Sequence, residues 1–275
     1  MASRRGWWGV VAAALAIAVT AGGCGGNDKK SSGTTTGRTA ITSNLKASFP
    51  HLEKATPAAK GSKSRVARYR IGTYRNMSEF LTVALNRVDA FWTQVYRNSG
   101  ITPEPFVRYN WLRPGESVQP WCAGGRTNDE TAMYCGDDRD DTIYISQQMA
   151  INFWKGFVNN RTANVYPGAF GLAYVVAHEY GHNIQDELGI RVTRATAMGL
   201  ELQADCLAGV FGNSEYYAGV LDAGDVARAI SLANLIGDFN FTDPGHHGTP
   251  AERVAAWKLG YNSGEPDRCR DTYLP

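Results

Sequence analysis

Neither sign of charge dominates this sequence: 28 Lys and Arg face 26 Asp and Glu, for a net charge of +2. That balance offers no basic field to a nucleic acid, so no nucleic-acid partner is expected. No pair of cysteines has CxxC spacing, which argues against a thiolate zinc site. Long apolar runs are missing too. The clearest, Trp7 to Val19, falls short of the about 20 residues that a membrane-spanning helix needs. No internal repeat is apparent. What the chain has is core material: 43% hydrophobic residues, with 7 Trp, 10 Phe and 13 Tyr. This excludes a disordered chain, a collagen-like fibre and a polytopic membrane protein. The five cysteines are an odd number, so one is expected to differ in fate from the others.

Arg4 and Arg5 precede an uncharged stretch from Gly6 to Gly23 that ends Ala21-Gly22-Gly23-Cys24. A charged start, a short apolar run and a small-residue exit make an export signal over residues 1–23. The exit resembles a bacterial lipoprotein signal, which would lipidate Cys24 and anchor the chain to a lipid bilayer outside the cytoplasm. Ordinary cleavage near Ala21, giving a secreted protein, and an uncleaved N-terminal anchor are the alternatives. Removing residues 1–23 takes away two arginines and no acid, leaving 26 charges of each sign. Residues 24–64 are rich in Ser, Thr, Gly and Lys and read as a flexible tether, with local docking at Phe49 and Leu52. A single domain is expected over 65–275.

Apolar residues recur at helical spacing from Met77 to Arg97, with Ser78 as an acceptable N-cap. Strands are expected at Phe106–Tyr109 and Thr142–Ser146, with Cys122 and Cys135 in a loop between them. A helix is expected from Gln147 to Asn159, followed by helical segments at 171–188, 193–213, 224–237 and 250–259. Early strands and late helices make the fold class α+β, predominantly helical in the C-terminal half.

His178-Glu179-Tyr180-Gly181-His182 is an HExxH sequence. On a helix, residues i and i+4 lie about 40° apart around the axis and about 6 Å apart along it, so both imidazoles face one way. Two such rings can bind one zinc ion, and Glu179 then sits beside the metal, where a water-activating base belongs. Phe170, Ala173, Tyr174, Val176, Ala177 and Ile184 give this helix a buried context. A catalytic zinc needs a third protein ligand. The downstream candidates are Glu187, Glu201, Asp205, His246 and His247. Glu201 and Asp205 share a stripe with Ala197, Met198, Ala208 and Gly212 on the next helix. Two carboxylates at a packing face need positive partners. Zinc would serve Glu201, and the N–H of a ligand histidine would serve Asp205. The competing view is a solvated acidic pair on a helix that buries Leu200 and Leu207.

The stretch from Gly168 to Gln185 and the run Glu201-Leu202-Gln203-Ala204-Asp205-Cys206-Leu207-Ala208-Gly209 resemble the bacterial neutral zinc metallopeptidase family. So do Ala223-Gly224-Asp225, Ile236-Gly237-Asp238 and His247-Gly248-Thr249, with Arg253, Trp257 and Gly260. The resemblance implies a zincin-like, membrane-associated metallopeptidase holding one zinc ion on His178, His182 and Glu201, with Glu179 catalytic. Tyr180 and Asn183 depart from the family's usual Val and His, at positions that are neither ligand nor base. The stretch holding Arg139, Asp137, Asp138, Asp140 and Asp141 is unusually charged.

His247 matches the family's His-Gly-Thr element. It could donate to a developing oxyanion, or simply bridge loops while Thr249 caps the last helix ahead of Pro250. Arg253 reads more readily as an ion-pair residue. Cys122 pairs naturally with Cys135 across a short loop, which leaves Cys206 for Cys269, unless Cys206 is a buried free thiol. The expected activity is hydrolysis of peptide bonds in a protein or peptide substrate, by an endopeptidase in preference to an exopeptidase. The alternatives are a non-catalytic zinc protein acting through a partner and a hydrolase of another amide.

Overall fold

A computed structural model of the chain describes residues 50–54, 76–136, 141–158, 161–162, 168–190, 197–240 and 246–274. The expected signal segment, Cys24, most of the tether, and Asp137, Asp138, Arg139 and Asp140 lie outside these residues. Helix α1 (Met77–Ser99) buries the stripe of Phe80, Leu81, Ala84, Leu85, Val88, Phe91, Trp92 and Val95. Its N-cap is Asn76 rather than Ser78: the Asn76 side chain accepts the Glu79 N–H at 2.9 Å. Ser78 is already inside the first turn, where its carbonyl accepts the Thr82 hydroxyl.

Three strands follow, β1 (Arg108–Leu112), β2 (Ala132–Cys135) and β3 (Thr142–Ser146), in the spatial order β1-β3-β2. β1 runs parallel to β3, with Arg108 opposite Thr142, and β2 runs antiparallel to it, with Tyr134 opposite Ile143. The central strand β3 is buried at all five positions, and its bounds are those expected. The first strand starts two residues later than expected and runs to Leu112. Phe106 is exposed, and the pairing begins where the Arg108 N–H reaches the Asp141 carbonyl. β2 replaces what reads as loop, because four residues are too few to show a period. Ser146 ends β3 and caps helix α2 (Gln147–Trp154), accepting from the Gln148 and Met149 N–H groups. That helix stops five residues before Asn159, at a turn through Gly156 with φ 82°. A short ladder of β4 (Phe157–Val158) and β5 (Arg161–Thr162) follows.

The remaining helices are α3 (Gly168–Glu187), α4 (Ala197–Tyr217), α5 (Ala223–Ile236), α6 (Pro250–Ser263) and α7 (Pro266–Tyr273). The last of these was not expected, because its sequence is too charged to show an apolar stripe. Every residue from Gly168 to Gln185 is buried, so α3 is a central pillar rather than an amphipathic surface helix. It packs against α1, α2, β2, α4 and α5, while α4 packs against α3, α6 and α7. Glycines set two of these approaches. A Cβ on Gly181 would lie 3.1 Å from the Ala204 Cα, and one on Gly260 would lie 1.8 Å from the Cys206 carbonyl oxygen. The first fixes the α3–α4 separation and the second the α4–α6 separation.

Leu52 docks as the sequence suggests, 2% exposed. Its N–H and the His51 ring both bond to Asp267 of α7, and the Glu53 N–H bonds to Ser99 of α1. No helix among the described residues is long and apolar enough to cross a membrane.

Candidate metal centre

α3 delivers His178, Glu179 and His182 to one point, and α4 delivers Glu201 to the same point across the Gly181–Ala204 contact. His178 Nε2 stands 3.2 Å from His182 Nε2 and 3.2 Å from Glu201 Oε2. His182 Nε2 is 3.4 Å from Glu201 Oε1. Ligands held tetrahedrally about 2.0–2.1 Å from a zinc ion are about 3.3–3.4 Å apart, so the spacing fits.

The far sides of the two rings fix their protons. His178 Nδ1 faces Asp205 Oδ1 at 2.8 Å, and an ionised carboxylate only accepts, so Nδ1 carries the hydrogen. His182 Nδ1 faces Gln185 Oε1 at 2.9 Å. Gln185 is oriented by its own NH₂ group, which donates to the Leu200 carbonyl at 2.8 Å and to Gln203 Oε1 at 3.0 Å. In their neutral forms both Nε2 atoms therefore present lone pairs to each other and to a carboxylate. Such a cage calls for positive charge among its atoms, and its N₂O donor set is one that suits zinc.

The electrostatics agree. Burial works against a charged His178, but Asp205 and Glu201 outweigh it and lift its pKa to about 10. Burial also opposes ionisation of Glu201, yet His182 and His247 hold that carboxyl well below its ordinary range. Glu179 is fully buried, and burial raises its pKa. The Tyr134 N–H on β2 lends Glu179 a weak stabilisation, but neither carboxylate oxygen has a full hydrogen bond.

A model of the family described as "Putative neutral zinc metallopeptidase" matches residues 18–273. The chain belongs to this zinc metallopeptidase family. It is similar to the uncharacterised protein YpfJ of Escherichia coli K12, with 31% identity over 217 residues that cover 70% of each chain. It is also similar to the uncharacterised protein Rv2575 of Mycobacterium tuberculosis, with 33% identity over 218 residues and 68% of each chain. No solved structure matches it.

Behind the cage sits a second set of buried groups. Asp205 takes four hydrogen bonds: from His178, from the Tyr174 hydroxyl at 2.5 Å, and from Arg253 Nε and Nη2 at 2.7 and 2.8 Å. Burial would raise the Asp205 pKa, but Arg253 and His178 bring it down to about 2. Arg253 is fully buried, so it is a core-bridging ion-pair residue rather than a surface one. Tyr174 and Gln185 were not singled out as site residues, although helical spacing from His178 (i−4) and His182 (i+3) points to both.

Of the other candidate third ligands, Glu187 lies at the end of α3 and accepts the Phe106 N–H, away from the cage. His246 and His247 belong to a segment pinned by Asp238, which sequence reasoning passed over except as part of Ile236-Gly237-Asp238. Asp238 Oδ1 meets His246 Nδ1 at 2.5 Å, and Oδ2 accepts the His247 N–H at 3.3 Å. Gly248, at φ 100°, leaves a would-be Cβ only 2.9 Å from the Leu202 side chain, so the segment is pressed onto α4 beside Glu201. Thr249 caps α6 in a reciprocal box with Glu252, with Pro250 in the first turn. Both expected disulfides are present, Cys122–Cys135 and Cys206–Cys269.

Proposed function

We propose that the chain is a zinc-dependent endopeptidase of the bacterial cell envelope, with zinc on His178, His182 and Glu201. The observation that carries this is Glu179: a carboxylate sealed from solvent, without a full hydrogen bond, one residue from a buried His178–His182–Glu201 cage able to hold a metal ion. A zinc ion supplies there the Lewis acidity that polarises a carbonyl and acidifies a water molecule.

Glu179, whose burial strengthens its hold on a proton, would take a proton from a water molecule whose oxygen bonds to the scissile carbonyl carbon, and pass it to the amine as the C–N bond breaks. Asp205 and Gln185 hold the two imidazoles by their Nδ1–H groups, so that both Nε2 lone pairs point inward. His247, nearly buried and electrostatically coupled to Glu201, donates to the carbonyl oxygen as negative charge grows on it.

The decisive protein is Glu179→Gln. It should keep one zinc and lose peptide hydrolysis by about 10²–10⁴-fold. Cleavage at the wild-type rate would sink the mechanism, and full zinc occupancy in Glu201→Ala would sink the ligand set. Digests of a peptide library, blocked and unblocked at both ends, separate internal cleavage from end-trimming.

The envelope location is supported by the export-type residues 1–23 and by two disulfides, which persist in oxidising compartments. Anchoring through Cys24 predicts metabolic labelling by a fatty acid that Cys24→Ser abolishes.

A further inference from the structure

Beside His178 and Glu179 the surface folds inward into a hollow walled by Ala132 of β2, Met149 and Phe153 of α2, Val175 of α3 and Ile236 at the end of α5. These five side chains come from four elements, and all five are apolar. The hollow is small: the centre of a water-sized sphere can move through only about 10 Å³ of it. That is about the space of one methyl-sized group. Four of its five apolar walls are less than 6% exposed, and Ile236 is partly buried. The room is therefore set by packed side chains rather than by a movable surface loop. Its one acidic group is Glu179, the proposed base, and its one imidazole is His178, the proposed ligand.

We propose that this hollow selects the substrate, by taking the small apolar side chain of the residue on one side of the scissile bond, alanine first and valine second. This inference rests on the peptidase reading and adds a substrate class to it. Three physical points carry it. His178 and Glu179, the two residues nearest the reacting atoms, line the hollow, so a side chain entering it belongs to a residue next to the bond being cut. Apolar walls reward a buried methyl group by about 0.8 kcal/mol, and none of the five apolar walls can pair a charged head group. Valine already exceeds the space, and leucine and phenylalanine exceed it further, unless Phe153 or Met149 moves, and overpacking a tight site costs about 1–3 kcal/mol.

The test is a peptide series that varies only the residues flanking the cleaved bond, through Ala, Val, Leu, Phe, Lys and Asp. The wild-type zinc-loaded full chain should prefer Ala over Leu and Phe by about 10-fold or more in kcat/KM at one of the two positions, with Val between them, and should reject Lys and Asp. Phe153→Ala enlarges the hollow and should raise the Leu-to-Ala ratio by about 10-fold, with Val175→Ala as a milder second variant should the first fold poorly. Preference for a charged residue at both positions would overturn the proposal. So would a Leu-to-Ala ratio unchanged in folded, zinc-loaded forms of both variants.

Binding of alanine hydroxamate and leucine hydroxamate to zinc-loaded protein gives a readout that needs no turnover. If no peptide is cleaved but alanine hydroxamate binds about 10-fold more tightly than leucine hydroxamate, and Phe153→Ala or Val175→Ala reverses the order, the peptidase reading fails and the pocket stands. Equal binding of the two hydroxamates in wild type and variants overturns the pocket.

Discussion

Replacing Arg253 with methionine removes a guanidinium that is fully buried and bonded to Asp205 through two donors, at 2.7 and 2.8 Å, while keeping an unbranched side chain in its place. Asp205 is equally buried and would keep only Tyr174 and His178 as partners. Each charge-assisted hydrogen bond is worth about 1.5–3 kcal/mol, offset in part because the arginine no longer loses its own hydration. Breaking one side of a buried ion pair costs about 3–5 kcal/mol by comparison with other proteins. A domain of this size shifts its melting temperature by about 2–4 °C per kcal/mol, so Arg253→Met should melt about 6–20 °C lower. Adding Asp205→Asn removes the stranded charge, yet keeps an oxygen that can accept from His178. The double variant should therefore recover more than half of the loss. Thermal unfolding followed by circular dichroism, with chelator and with saturating zinc, measures both. A single variant that loses less than about 1 kcal/mol, or a double variant that loses the sum of the two singles, would refute a structural role for the pair.

Three further outcomes follow from the same contacts. Asp205 has a folded pKa near 2, below its unfolded value, so its stabilisation is fully present above about pH 4 and is lost as pH falls through 2. On the order of 2 kcal/mol should disappear over that window, and Arg253→Met should flatten the fall, measured by denaturant unfolding at each pH. Gln185→Met removes the acceptor that fixes the His182 tautomer, and competitive chelation should show zinc held about 10–100-fold more weakly. Replacing both Cys206 and Cys269 with alanine opens a link between positions 63 residues apart, and the loss on the chain-entropy model is about 4 kcal/mol, readable from urea unfolding.

The core helices and the metal cage were legible in the sequence for the same reason: each is a local pattern. His178, Glu179 and His182 share one helix and the carboxylates Glu201 and Asp205 share a stripe on the next, so spacing gave each face, while the choice of Glu201 among five candidate third ligands rested on the family resemblance. The apolar stripe of α1 and the alternation of β3 were readable in the same way. What escaped depends on tertiary pairing. β2 is four residues long and exists because β3 lies beside it, and β1 shifts to Arg108–Leu112 because Asp141 and β3 set its register. Asp238 acts on two histidines eight and nine residues away through a turn that no periodicity describes. α7 has too much charge to look like a packed helix, yet a disulfide ties it to α4.

The glycine inside the HExxH run has a consequence for which ion the cage accepts. Gly181 brings α3 so close to Ala204 that a methyl group there would have to push α4 back by a few tenths of an ångström. That is about the difference between a zinc–nitrogen bond of about 2.0–2.1 Å and a calcium–oxygen bond of about 2.3–2.6 Å. The cage diameter is thus gauged by backbone against backbone, which does not relax as a long side chain would. A side chain at Gly181 would therefore move Glu201 away from the two imidazoles, although position 181 is itself no ligand.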